Sequence, residues 1–206
     1  MAIFNLFVFY LSMKVQNFNP VNFQKRLVAT CKIGSADNSC DAKIYLLDKK
    51  DDYYELKEAK NSENWEGNYY LNNIQENFCL DFKKINHHIM ENPNGDIICV
   101  TKSAKKGKKT SLEYIETAPK LSCYNHIRAL KYIGETMLAF LAKDAKESRK
   151  ILVVPTVAER PKTLNFYYNQ CGFDKNGLTN AIMPREKVDR FLKNNEKHTG
   201  GPINLL

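Results

Sequence analysis

Leu112 to Phe173 carries the order of elements from which the fold is read: LEYIET (112–117), KYIGE (131–135), ILVV (151–154) and YNQCGF (168–173). The first segment is a strand, and the second opens a helix running from about Gly134 to Lys146. Met137, Leu138, Leu141 and Ala145 form one apolar stripe on it, beneath a face of Lys143, Asp144 and Lys146. Ile151 to Val154 has no polar alternation, so it reads as a strand buried on both faces, and Pro155 ends its pairing. A helix N-terminus has unpaired N–H groups and roughly half a positive charge, so the turn at 131–135 is suited to phosphate.

This order resembles the acyl-CoA-binding core of the GNAT N-acetyltransferase superfamily, of which the chain is identified as a divergent member with a degenerate pyrophosphate loop. The resemblance implies a mixed, mostly antiparallel sheet flanked by helices, an α/β fold of the α+β kind, with acetyl-CoA as acyl donor. In the family, the helix after the fourth strand gives its amides to the pyrophosphate, and a tyrosine four residues before a Gly-Phe pair faces the thioester sulfur. The family's loop reads Arg or Gln, two variable residues, Gly, one variable residue, then Gly or Ala. Without gaps it falls on Ala129, Tyr132 and Gly134, of which Gly134 fits; a second alignment deletes two residues before Ile133. The resemblance places the cofactor against Thr117, Lys131, Ile133, Gly134, Glu135 and Thr136. Tyr168 is the candidate acid for the leaving thiolate, with Tyr167 competing for the role. Asn165, three residues before Tyr168 on the same helical face, either reaches the CoA arm or caps a helix. The base for the amine is Glu116 or Glu113. Their odd separation sends them to opposite faces of an unbroken strand, and Glu116 is slightly preferred. A water-mediated route needs neither.

With 206 residues the chain can bury roughly 70% of its unfolded surface in one core. Hydrophobic residues at 43% exclude wholesale disorder. The net charge of +8 mildly favours an acidic or RNA partner, but the lysines are scattered among asparagines and acids. Lys102 to Lys109 is the exception and reads as an exposed hairpin tip, with RNA or phosphate contact the alternative. Six cysteines without a Cys-x-x-Cys pair suggest reduced thiols in a cytoplasmic protein. The four histidines match no zinc pattern, His87 and His88 pointing to different sides of a helix, so no metal is expected. Residues 1–11 are apolar but fall short of the roughly 20 that span a membrane, so no membrane partner is expected. Met13 offers an alternative start, which leaves open whether those residues are a first strand.

Outward from the central stretch, 14–40 show little periodicity, and Ala42 to Leu47 with Tyr53 to Leu56 suggest a hairpin. From Ser62 to Met90, apolar spacings of three and four suggest one or two amphipathic helices, ended by Asn92-Pro93-Asn94-Gly95. Ile97 to Thr101 and Leu112 to Thr117 are paired strands, followed by a loop from Pro119 to Ile127. A short helix from Leu164 to Cys171, a strand near Leu178 to Met183 and a helix from Arg185 to Asn194 complete the chain. The expected division is an N-terminal extension or first-strand region at 1–40, a GNAT-like domain at 41–195 and a tail at 196–206. The leading function is acetyl transfer from acetyl-CoA to an amine on a small molecule, a protein or an aminoacylated RNA. A non-catalytic acyl-CoA- or protein-binding module and an RNA-binding protein are the alternatives. The oligomeric state stays open, a homodimer included.

Overall fold

The computed structural model describes residues 25–47, 52, 56, 65, 85–119, 130–155 and 161–206, without the side chains of 161 and 162. In chain order the elements are β1 (Arg26–Ser35), β2 (Asn38–Leu47), β3 (Ile85–Glu91), β4 (Ile97–Lys106), β5 (Lys109–Thr117), α1 (Ile133–Glu147), β6 (Ile151–Pro155) and α2 (Pro161–Asn165). After α2 come a π-helical turn (Phe166–Gln170), β7 (Asp174–Asn176), β8 (Asn180–Met183), α3 (Arg185–Thr199) and β9 (Asn204–Leu205). Among the described residues they form one nine-stranded sheet in the order β7-β8-β6-β5-β4-β3-β2-β1-β9. Every neighbouring pair is antiparallel except β5 with β6.

Two apolar layers hold the sheet. On one face α1 buries the stripe read from sequence, Met137, Leu138, Leu141 and Ala145, against Ala29, Ile44, Met90, Leu112 and Val154, and α3 adds Val188 and Phe191. The opposite face packs Leu47, Ile89 and Val100 against Leu56 and Trp65, whose indole Nε1 donates to the Ile97 carbonyl at 2.7 Å. Burying one such large side chain contributes about 1.5–3 kcal/mol, so both layers are strongly anchored.

Several expectations change. Ile85 to Met90 is the strand β3 rather than the end of a helix, because it pairs with both β2 and β4 and buries both faces. His87 and His88 therefore point to opposite faces of a sheet. The Asn92–Gly95 turn survives as the β3–β4 connection, where the Asn92 side chain accepts from the Asn94 and Asp96 amides at 3.0 and 2.9 Å. Residues 66–84 lie outside the described residues, as do 1–24 and most of the Pro119–Ile127 loop. Leu56, of the expected second hairpin strand, is helical.

The 41–195 boundary cuts β2, since β1 and β2 form a hairpin continuous with the sheet. The expected tail at 196–206 is structured. There α3 continues to Thr199, Gly200 ends it at φ 76, and β9 pairs with β1 while Ile203 is buried. Returning the chain to β1 satisfies edge groups that would otherwise need water. Leu178 is not in a strand but stands 84% exposed at the β7–β8 tip.

Candidate active site

β5 and β6 are paired in parallel only at Lys109–Ile151, Thr110–Leu152 and Ser111–Val153. Beyond Ser111 they part, for reasons visible in both strands. Between β4 and β5 the register moves from Lys102–Tyr114 to Ser103–Leu112, leaving Glu113 as an extra, bulged residue that bends β5. Across the gap, Pro155 has no N–H to extend the ladder. The opening is a cleft of about 620 Å³, walled by β5 from Leu112 to Thr117, by Gly134 and Leu138 of α1, by Val154 and Pro155, and by Thr163, Phe166 and Tyr167. Among the described residues, no strand pairs with the β6 side of β5 beyond Ser111, so an extended ligand carrying amides can lie along it.

At the end of the cleft stands the first turn of α1. Tyr132 caps it, and the Thr136 amide donates to the Tyr132 carbonyl at 2.8 Å. That leaves the amides of Ile133, Gly134 and Glu135 with no intrahelical partner, one residue earlier than a site reaching Thr136 would have. Among the described residues, a Cβ on Gly134 would meet the Thr117 methyl at 3.6 Å, which puts these two predicted residues side by side. The Ile133 side chain is core, and Thr136 is fully buried with its hydroxyl accepting from Asn195 at 3.1 Å. Glu135 turns into α3, 2.9 Å from His198 Nδ1 and 3.4 Å from Asn195 Nδ2. Lys131 is exposed, and its carbonyl accepts from the Gly34 amide at 2.9 Å.

Solved structures share this architecture. A variant of spermidine N-acetyltransferase SpeG from Vibrio cholerae aligns with 71% of this chain and 95% of its own, at 12% identity and a TM-score of 0.51. A chimera containing that enzyme aligns over 72% and 98%, at 12% identity and 0.52. A putative acetyltransferase of the GNAT family from Desulfovibrio desulfuricans aligns over 68% and 95%, at 13% identity and 0.50. The chain has the GNAT acetyltransferase fold. No family profile and no curated protein matches its sequence.

On this GNAT fold, Tyr132 takes φ 62 and ψ 12, left-handed backbone that glycine enters freely and tyrosine does not. It is the position where the ungapped alignment puts the family's glycine. The Tyr132 ring stacks on His198, with centroids 4.8 Å apart and planes at 16°. No local sequence signal points to that contact, because the two residues lie at opposite ends of the fold's second half.

The tyrosine pair divides between two surfaces. Tyr167 lines the cleft and is buried, whereas Tyr168 is half-buried and lines a separate depression of about 390 Å³ beside Arg190 and Asn194. The π turn accounts for this. The Cys171 amide donates to the Phe166 carbonyl, five residues back, at 2.9 Å, so the cleft-facing position falls five residues before Gly172 rather than four. Burial, with Cys171 nearby, pushes the Tyr167 phenol up to about 12, so it stays protonated through the neutral range. Asn165 is exposed, accepts from the Asn169 side chain at 2.7 Å and does not line the cleft.

The bulge also overturns the opposite-face argument for the two carboxylates. Lys102 pairs with Tyr114 and Val100 with Glu116, so these side chains share the face away from α1. Glu113, the extra residue, reaches that face and meets Lys102 Nζ at 3.2 Å. Glu116 accepts from the Tyr114 hydroxyl at 2.9 Å. His87 is opposite Lys102 on the same face, and burial followed by the Lys102 and His88 charges lowers it to about 4, so it is neutral near pH 7. The basic cluster is likewise divided, since Lys102 pairs with Glu113 and Lys105 with Asp144 at 2.9 Å. Among the described residues, no group of three His, Cys, Asp or Glu side chains could hold a metal ion, and no helix is long and apolar enough to cross a membrane.

Proposed function

We propose that the chain is an acyl-CoA-dependent N-acetyltransferase that moves an acetyl group from acetyl-CoA to an amine. The observation that carries this reading is the parting of β5 and β6 into a cleft that ends on the first turn of α1. In this reading the pantetheine amides replace the missing strand ladder. The pyrophosphate rests on the amides of Ile133, Gly134 and Glu135, with Lys131 and Thr117 beside it. The neutral amine attacks the thioester carbonyl, the new C–N bond forms as the C–S bond breaks, and the thiolate takes a proton from a phenol. Tyr167 is the phenol to which we assign this step, because it lines the cleft. The proton lost by the amine goes to Glu116, directly or through water. Glu113 is the weaker candidate because it is engaged by Lys102. Holding donor and acceptor in one cleft is worth about 7–11 kcal/mol in well-oriented cases, so proximity carries most of the reaction and the acid and base add to it.

Two of the proteins sharing the fold contain spermidine N-acetyltransferase, so a polyamine heads the acceptor panel, followed by a lysine peptide and an aminoacylated RNA. Calorimetry with coenzyme A, then thiol release from acetyl-CoA with each amine, tests the reading; no binding at millimolar ligand overturns it. A non-catalytic acyl-CoA-binding module is the second reading, favoured by Tyr132 where the family's glycine falls. It predicts binding without thiol release for any amine. Free thiols at Cys31, Cys40, Cys99 and Cys171 support a reducing, cytoplasmic setting.

A further inference from the structure

We propose that His198, near the C-terminal end of α3, is a positioning residue for the pyrophosphate loop, holding Tyr132 in the left-handed conformation for which the loop lacks a glycine. The inference rests on the acetyl-CoA reading for its function, but its geometry stands independently. Tyr132 turns the chain from the loop into α1, and its φ of 62 is strained for any residue with a Cβ. Such a conformation persists only when its surroundings over-determine it. Here the surroundings are specific. The phenol ring lies flat on the His198 imidazole, and His198 Nδ1 is 2.9 Å from Glu135 Oε1, three residues after the strained position. The histidine therefore grips both sides of the first turn.

His198 is itself held in place. Asn195, fully buried one turn earlier on α3, donates toward the same Glu135 oxygen at 3.4 Å and to Thr136 Oγ1 at 3.1 Å. The Thr199 hydroxyl donates to the Asn195 carbonyl at 3.0 Å, and Gly200 closes the helix by donating to the Glu196 carbonyl at 2.8 Å. The same contacts settle an electrostatic conflict. A carboxylate in the first turn of a helix competes for the positive end that a phosphate would use. With Glu135 turned into α3 and bonded there, the three amides without an intrahelical partner remain as the anion-facing surface. A planar group at position 198 that both stacks on Tyr132 and meets Glu135 ties the two sides of the turn together.

The test is a double-mutant cycle on the full chain, read by coenzyme A calorimetry and by hydrogen exchange of the Thr136 amide, whose bond to the Tyr132 carbonyl closes the turn. If His198→Ala leaves the competent loop populated a tenth of the time, the coenzyme A Kd rises about tenfold. Thr136 protection should fall by a similar factor. In the Tyr132→Gly background, where the left-handed region needs no support, His198→Ala should change both readouts less than about twofold. His198→Phe, which keeps a ring to stack, should recover part of the loss. An equal loss of affinity in both backgrounds, or unchanged Thr136 protection in His198→Ala, overturns the proposal. It would mean that His198 touches the ligand directly or supports the fold in general. Should the wild-type chain fail to bind coenzyme A, the proposed function falls, and the exchange measurements on the ligand-free protein still decide the positioning role.

Discussion

Acidification from pH 7.5 to pH 5 should cost this protein about 4 kcal/mol of folding stability through two adjacent histidines of β3. His88 is 5% exposed, packed edge-on to Phe140 at 5.1 Å, and among the described residues its Nδ1 has no hydrogen-bond partner. Burial, then the Lys105 and Arg26 charges, lowers it from 6.5 to about 3. His87, on the other face, is lowered to about 4. Both are bases whose folded value lies below the unfolded one. Between the two values the unfolded chain takes a proton that the folded chain refuses, so stability is full above about 6.5 and falls as the pH drops. At pH 5 the fall is about 1.5 units for each histidine, or about 2 kcal/mol at 1.36 kcal/mol per unit. Below pH 4 the His87 contribution levels off, while that of His88 continues to about 3. Carboxylates are still largely ionised at pH 5, so the window isolates the histidines. With a urea slope of about 2 kcal/mol per molar, the unfolding midpoint should fall by roughly 2 M between pH 7.5 and 5. His88→Leu keeps an apolar side chain against Phe140 and removes one titration, so its midpoint should fall by about 1 M. A fall as large as that of the wild type in His88→Leu would refute the reasoning.

Three further outcomes follow from the site and its supports. Tyr167→Phe should lower kcat for acetyl transfer roughly 10- to 10,000-fold with little change in KM for acetyl-CoA, while Tyr168→Phe is nearly silent; steady-state kinetics showing the reverse would place the turn in α-helical register. Gly134→Asp should fold normally, since an acid is favourable in a helix's first turn, yet weaken coenzyme A binding about tenfold or more by setting a carboxylate beside the phosphates, as calorimetry would show. Deleting residues 202–206 removes the buried Ile203, the β1–β9 pairing and the Lys143 bond to the Ile203 carbonyl at 2.6 Å. Urea unfolding should register a loss of about 3 kcal/mol, and an unchanged midpoint would mean that the segment behaves as a tail.

How much of this was legible depends on where the information resides. The α1 stripe and the β6 run could be read directly because each buries a face over consecutive turns or residues, and the period of a helix or the absence of one in a core strand is local. β1 is hidden in the sequence although Ala29, Cys31 and Ile33 alternate inward, since two of the three are small and a register shift between Leu27 and Ala29 interrupts the pattern. In sequence β3 reads as helix because Phe78, Phe82, Ile85 and Ile89 mimic helical spacing, whereas its strand conformation is imposed by pairing with β2 and β4 on either side.

By itself the sequence determined the order strand, helix, strand, helix around a helix N-terminus, and with it the region in which the proposed acetyl-CoA site falls, because propensity and periodicity act over a few residues. Only the tertiary structure decided which side chains stand there. A single bulged residue at Glu113 put two carboxylates on one face, one wider turn exchanged Tyr168 for Tyr167, and the stack of His198 on Tyr132 supported a backbone that the local sequence disfavours. Each of these is a shift of one residue or a contact across the fold, settled by packing energies that no short window of sequence contains.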